Sequence, residues 1–485
     1  MNYQQFVRSK QMRASNRTRL YSQYRQEQVQ EKLSQLGIFS YMDMQYAPRD
    51  TTAACDTLDV TMQATFAKPL DAELELNVVT KSNDQTGPGA SFGVTRNNVF
   101  GGGESWNVKL KGSYEWQTGG GSLMNSWEMG LSTSLTFPRV VFPHLGKREF
   151  DFPATTTFRL YINQLNRAKY YKLLSFGGNA TYDFQPSRTS RHSITPFKLT
   201  FNVLQHQSED FKEIAEANPA LYVSLRNQFI PAMEYTYTYD NASGRRIKNP
   251  IWWQSTVTSA GNITSLIYRA FGKPFNEEDK SLLGAPFAQF VKLNTELRHL
   301  WNIDKNNAIA SRMAVGALFT YGNATIAPYS EQFYVGGANS IRAFTVRSVG
   351  PGGYHPEEGK YSYLDQTGTF RFEANVEYRF RIFKSFWGAT FLDAGNVWLL
   401  RKDRKLLADG TEARPNSQLR LKTFPKQIAL GTGVGIRYDM DILVFRLDFG
   451  IPLHLPYDTD RSGYYNVTGA FLKNLGIHFA IGYPF

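Results

Sequence analysis

The chain has a single cysteine, Cys55, among 485 residues. That excludes an internal disulfide and a thiolate metal cluster. Cys55 stands in a polar turn, not behind an apolar stretch, so it does not resemble a lipid-attachment cysteine. No run of 18 apolar residues occurs and mean hydropathy is -0.40, so no transmembrane helix is available. The opening MNYQQFVRSKQMRAS lacks the apolar core of a signal peptide. Either the chain is not exported or it begins downstream of a true N-terminus; the rest of the sequence favours the second. The seven histidines show no metal spacing such as HxxxH on a helix, and there is no GxSxG elbow. Gly431–Gly435 reads GTGVG, but no helix follows it and its glycines fall on one face of a strand, so nucleotide binding is not expected. No cofactor and no metal is expected.

Aromatic residues, by contrast, are plentiful, with 35 Phe, 27 Tyr and 8 Trp, and there are 39 glycines. A polar average with many aromatics and glycines suits a barrel whose strands meet lipid only at every second residue. The net charge of +12 fits a solvated basic surface, anionic lipid or lipopolysaccharide, or nucleic acid. Nucleic acid is disfavoured, because Lys and Arg are spread singly along alternating segments and form no block.

Residues 1 to about 80 differ from the remainder. Arg17 to Leu36 reads as a charged helix with Val29, Leu33 and Leu36 on one stripe, ended by Gly37. Strands are expected around Tyr41–Ala47 and Leu58–Phe66. From about Ala72 onward, period-two segments recur. Trp106, Val108, Leu110, Tyr114 and Trp116 alternate with Asn107, Lys109, Lys111, Ser113 and Glu115. Phe370, Phe372, Ala374, Val376, Tyr378 and Phe380 alternate with Arg371, Glu373, Asn375, Glu377, Arg379 and Arg381. Ile428, Leu430, Val434, Ile436 and Tyr438 alternate with Gly431, Gly433, Gly435, Arg437 and Asp439. In a strand the two sets lie on opposite faces. A charge at every second residue is too costly for a sandwich core, but it suits a wall with lipid outside and a wet lumen inside.

About sixteen such strands are expected, in an all-β transmembrane antiparallel barrel. If the first strand rises from the periplasm, the odd-numbered gaps lie outside. These include the long ones, 206–231, 263–285, 323–368, 401–426 and 455–470. Most even-numbered gaps are short turns, such as 186–191 and 384–385. Pro138–Pro153 is an unexplained long connection on the periplasmic side. Glu209–Leu225 reads as a helix in an outer loop, interrupted at Asn218–Pro219.

Three segments carry a family resemblance. Tyr334 to Phe344 reads YVGGANSIRAF, with Gly336 and Gly337 ahead of Ile341, Arg342, Ala343 and Phe344. It resembles the (V/I)RG(F/Y) loop of the BamA/TamA superfamily, although Ala343 stands where that family usually has Gly. Asn375–Phe380 (NVEYRF) and Phe391–Trp398 (FLDAGNVW, with Gly395) resemble two of the family's strands. The last segment, Leu475–Phe485, places Leu475, Ile477, Phe479, Ile481, Tyr483 and Phe485 on one face and resembles the insertion signal of outer-membrane proteins. The helix and two strands at the start are similar to the end of a POTRA domain, though other small α+β domains would read alike. The resemblance implies residues 1–70 as the C-terminal part of a periplasmic POTRA domain and 71–485 as the barrel. The stretch from Glu216 to Pro231 is similar to a lipoprotein TamA branch of Bacteroidota.

In that family the loop folds into the lumen, which implies that Arg342 pairs with Glu377 and Asp393; a luminal guanidinium requires carboxylates in any case. The family also implies a poorly paired seam between the first and last strands, here Glu73–Lys81 around Val78 against Leu475–Phe485. Gly476, Gly482 and Pro484 weaken pairing there. The expected role is non-enzymatic insertion or translocation of client proteins at the bacterial outer membrane. The implied partners are outer-membrane lipid, unfolded outer-membrane proteins, and periplasmic chaperones or an inner-membrane protein reached through the POTRA part. A two-partner secretion pore and a passive porin or receptor are the alternatives.

Overall fold

The computed structural model describes residues 21–485 apart from 51–56, 81–84, 118–124, 142–153, 168–170, 210–226, 243–246, 278–279, 283, 325, 357–365, 403–411, 413, 441–442 and 471–473. Helix α1 (Gln23–Gln35) is followed by strands β1 (Phe39–Pro48) and β2 (Leu58–Phe66). The helix stops at Gly37, which takes a φ of +62°, the left-handed position that glycine fills without a side-chain clash. β1 and β2 pair antiparallel as a separate two-stranded sheet. The N-terminal part of the expected helix, from Arg17, lies outside the described residues, as does most of 209–225.

The wall begins with β3 (Leu70–Thr80), β4 (Gln85–Asn97), β5 (Ser105–Gln117), β6 (Ser126–Phe137), β7 (Ala154–Arg167) and β8 (Tyr171–Phe184). It continues with β9 (Ser190–Gln207), β10 (Gln228–Asp240) and β11 (Ile251–Ala260). A long connection then carries helix α2 (Asn262–Ala270) and a small hairpin, β12 (Ser281–Leu282) with β13 (Ala285–Pro286). The wall resumes with β14 (Phe290–Asn302), β15 (Asn307–Thr320), β16 (Phe370–Phe383) and β17 (Phe386–Trp398). It ends with β18 (Ala429–Asp439), β19 (Val444–His454) and β20 (Gly476–Ile481). These sixteen strands form one antiparallel sheet in chain order, with β3 and β20 at its two ends.

Alternation sets the two faces. Along β18, Val434, Ile436 and Tyr438 are exposed, whereas Arg437 is fully buried. Along β16, Val376 and Tyr378 face out, and Glu373, Asn375, Glu377 and Arg379 face in. The inward face is not uniform. On β5 and β6 it is wet: Lys111 pairs with Glu128 at 2.6 Å with both side chains partly exposed. From β10 to β18 the half of the interior nearest the 321–369 loop is a dry core. Ala232, Ala260, Phe290 and Leu318 of the wall pack there with Phe333, Val335, Ile341, Phe344 and Val349 of the 321–369 loop. The expected wet lumen therefore holds for one side only; on the other, the loop supplies the apolar partner that makes dry inward residues favourable.

The long connection that begins at Pro138 gains a partial account. Pro138 lies beside Gly103, where Leu36 and Ile38 of the N-terminal part also pack. Arg139 donates to the buried carboxylate of Glu104 at 2.9 Å. The first residues of that connection thus join the 98–104 turn to the segment that links the N-terminal helix and strand.

Candidate functional site, a loop held inside the barrel

The loop between β15 and β16 turns back into the barrel and presents Arg342 to the inner wall. Two glycines make the turn: Gly336 and Gly337 have φ of +102° and +92°. A Cβ on Gly336 would come within 2.0 Å of the Thr345 carbonyl oxygen, so only glycine fits. Gly337 N donates to Phe344 O at 2.7 Å, closing the tip.

Arg342 is fully buried. Its backbone N and Nε donate to Asp393 Oδ2 at 3.0 and 2.8 Å, and Nη2 donates to Oδ1 at 2.9 Å. Nη1 donates to Glu377. The guanidinium lies 3.5 Å from the ring centre of Phe391. Alternation explains the placement: Phe391 and Asp393 share the inward face of β17, and Glu377 sits on that of β16. Two carboxylates, a ring face and a planar cation complete the contact with charge-assisted bonds. Asn375 bridges loop and wall, donating to Ser340 O at 2.8 Å and Asp393 Oδ1 at 2.9 Å.

The structure adds groups that sequence reasoning did not assign to the site. Arg437 donates to Glu377 at 3.0 Å and lies 2.6 Å from Asp448. Arg379 donates to Glu377 Oε1 at 2.7 Å. Arg446 donates to Ala338 O at 3.1 Å and also to Asn339 Oδ1. His478 Nε2 lies 2.7 Å from Arg342 O; a carbonyl only accepts, so Nε2 carries the proton. Inward parity was the available signal for Asp448, Arg446 and His478.

Ala343, where the family usually has glycine, takes no positive φ. Its methyl sits over Gly431, where an added Cβ would lie 2.3 Å away. Gly450 and Gly476 likewise lie under the Arg342 carbonyl, at 2.6 and 3.1 Å from the position of a Cβ. Three adjacent strands thus provide a bare floor for the loop tip, and the missing glycine in the loop is matched by glycines in the wall. Gly395, two residues beyond Asp393, faces Glu373 and the Phe372 carbonyl with no room for a Cβ.

The remaining site residues lie at the sheet ends. Val78 is paired with Pro88 of β4. Ile477 and Phe479 are exposed on the outward face of β20. The expected single face from Leu475 to Phe485 is cut short, because β20 ends at Ile481 and Gly482 takes φ +87°. Beyond it Tyr483 and Phe485 turn to the luminal arginines: the Arg379 guanidinium lies 4.2 Å from the Tyr483 ring centre and 5.8 Å from that of Phe485. A left-handed glycine reverses the direction that simple alternation would continue.

The sequence profile of the Omp85 superfamily domain matches residues 98–485. The chain belongs to the Omp85 superfamily. Among solved structures, this Omp85 chain is similar to BamA from Haemophilus ducreyi lacking POTRA domains 1-3, at 14% identity and a TM-score of 0.57, over 94% of this chain and 77% of that one. It also matches CdiB from Acinetobacter baumannii at 13% identity and a TM-score of 0.49, over 90% of this chain and 65% of that chain. CdiB from Escherichia coli matches at 13% identity and 0.46, over 96% and 71%. The chain therefore spans less than two thirds of one CdiB and about three quarters of the BamA chain. The likeness to BamA carries the fold, an Omp85 outer-membrane β-barrel.

Proposed function

We propose that this barrel inserts or translocates other proteins at the outer membrane, through the seam between β3 and β20. The observation that carries the reading is the state of the sheet ends. Among the described residues no ladder joins β3 to β20. β20 has six residues against eleven in β3 and in β19. Unpaired N–H and C=O groups along such edges can template a client strand. The loop held by Arg342 keeps the barrel from being a wide passive pore. The energy comes from client folding and local thinning of the bilayer, without nucleotide or metal.

The N-terminal helix and strands, residues 1–70, act in this reading as the end of a POTRA domain that receives clients from periplasmic chaperones or an inner-membrane partner. The test is a disulfide across the seam, from cysteine pairs placed around Val78 and Ile477 in a Cys55→Ser background. The oxidised protein is expected to lose client assembly and recover it on reduction. Loss of export of a single exoprotein, with barrel assembly intact, would move the role to two-partner secretion. Unchanged assembly and export in the locked protein would overturn the seam mechanism.

A further inference from the structure

Helix α2 is built inside out. Its one buried residue is a serine, and its large apolar residues are bare. Ser265 is fully buried, while Ile263 is 49%, Leu266 54%, Ile267 53% and Phe271, just past the helix, 84% exposed. A helix surrounded by water has the opposite arrangement.

The hydrogen bonds show which side of the wall it covers. Asn262 Nδ2 donates to Ser259 Oγ at 2.8 Å, and Tyr321 OH donates to Asn262 Oδ1 at 2.9 Å. Ser265 Oγ donates to Gln289 Oε1 at 3.0 Å. Ser259, Gln289 and Tyr321 all have outward parity. Ser259 follows the exposed Trp253 and Val257, Gln289 precedes the exposed Leu293, and Tyr321 follows the exposed Phe319, whereas Ala260, Phe290 and Leu318 between them are buried. The ladder continues at this level, since Tyr321 N donates to Gln289 O. The helix therefore lies against the outer face of the barrel. It covers three polar residues that would otherwise point outwards, and substitutes its own apolar surface for them.

The height is set by the strand below. β14 has thirteen residues, which at roughly 3.3 Å per residue and a tilt of about 40° rise about 33 Å, so the strand overhangs the roughly 25 Å apolar band of such barrels by about 4 Å at each end when centred on it. Helix α2 thus sits at the outer edge of the hydrocarbon. Arg269 and Lys273 are exposed at its end, placed for anionic headgroups.

We infer that α2 is an interfacial helix bedded in the outer leaflet, continuous with the lipid-facing wall of β11, β14 and β15. Its occupant is lipid, with phosphate-bearing headgroups at Arg269 and Lys273. The test places a nitroxide at residue 267 or 271, separately, in a Cys55→Ser background. The full chain is reconstituted in phosphatidylethanolamine and phosphatidylglycerol vesicles, and heat-modified gel mobility selects folded protein. Labels at Leu293, exposed on the outward face of β14, and at Asp460, exposed in the connection between β19 and β20, serve as lipid and water references. Oxygen accessibility is expected to exceed that of a water-soluble nickel chelate several-fold relative to Asp460, approaching the ratio at Leu293. A nickel accessibility equal to that at Asp460 would overturn the inference. So would a label reached by neither relaxer, which would mean that protein covers this face.

Discussion

His478 of the last strand holds the backbone carbonyl of Arg342, 136 residues earlier in the chain, at 2.7 Å. The strand at the proposed seam and the loop that fills the lumen therefore share a hydrogen bond, and disturbance of one is felt by the other. Replacing His478 by Phe leaves the Arg342 carbonyl buried without that donor, at a cost of about 1–3 kcal/mol. The expected result is faster cross-linking between cysteines placed on β3 and β20 in H478F than in the parent. H478N, which keeps a donor, should restore part of the difference.

Asp393 accepts three bonds from one arginine. Asp393→Asn removes its charge and leaves the buried guanidinium with Glu377 as its main partner. Breaking a buried pair on one side costs about 3–5 kcal/mol. Urea unfolding in detergent micelles should show a lower midpoint, and the loop should become open to protease near Asn339. Arg342→Lys should also destabilise, because an ammonium cannot reproduce the planar fork.

The fit of Ala343 against Gly431 yields a double-mutant test. Gly431→Ala places a methyl where the Ala343 methyl already lies, and overpacking of this kind costs about 1–3 kcal/mol. Ala343→Gly in the same background should recover most of it. A recovery no larger than the effect of A343G alone, measured by unfolding midpoint, would show that the two sites are not coupled.

Gly482 directs the residues after β20 into the lumen. Gly482→Val forces a β-branched side chain into φ +87°, a conformation such residues avoid. Tyr483 and Phe485 should then lose their places beside Arg379. The measurable result is slower folding of the barrel into vesicles, followed by gel mobility, together with faster seam cross-linking.

The lipid face supplies a contrast. Val376→Arg on the outward side of β16 should cost about 2–4 kcal/mol if it lies near the bilayer midplane. Ser113→Arg on the polar face of β5 should cost far less, because that part of the lumen is wet. Both are read from unfolding midpoints in lipid.

Much of the fold was legible in the residues. Period-two alternation gave the sixteen-stranded sheet, and Arg342, Glu377 and Asp393 could be named from the ordered motifs that carried the family resemblance. The misses are local reversals and covers. At Gly482 the alternation predicts continued strand, since a glycine in an alternating run can either continue it or end it. Over helix α2 the sequence predicts only a long loop, because the helix's apolar residues are spaced for a face whose partner is not encoded beside it. Alternation predicts a wet lumen throughout, since inward alanines and phenylalanines resemble outward ones until the loop that covers them is known.

The order of the side chains along each strand settled, without any fold, which residues share a face, because the two-residue repeat of an extended chain is a local property. Which guanidinium meets which carboxylate, and which glycines form the floor for the loop tip, depended on the course of the whole wall. That course brings together β16 to β20 and a loop that leaves them by tens of residues. Pairing at such separation is decided by burial and by satisfying charge in a confined interior, and neither is present in any short stretch of the chain.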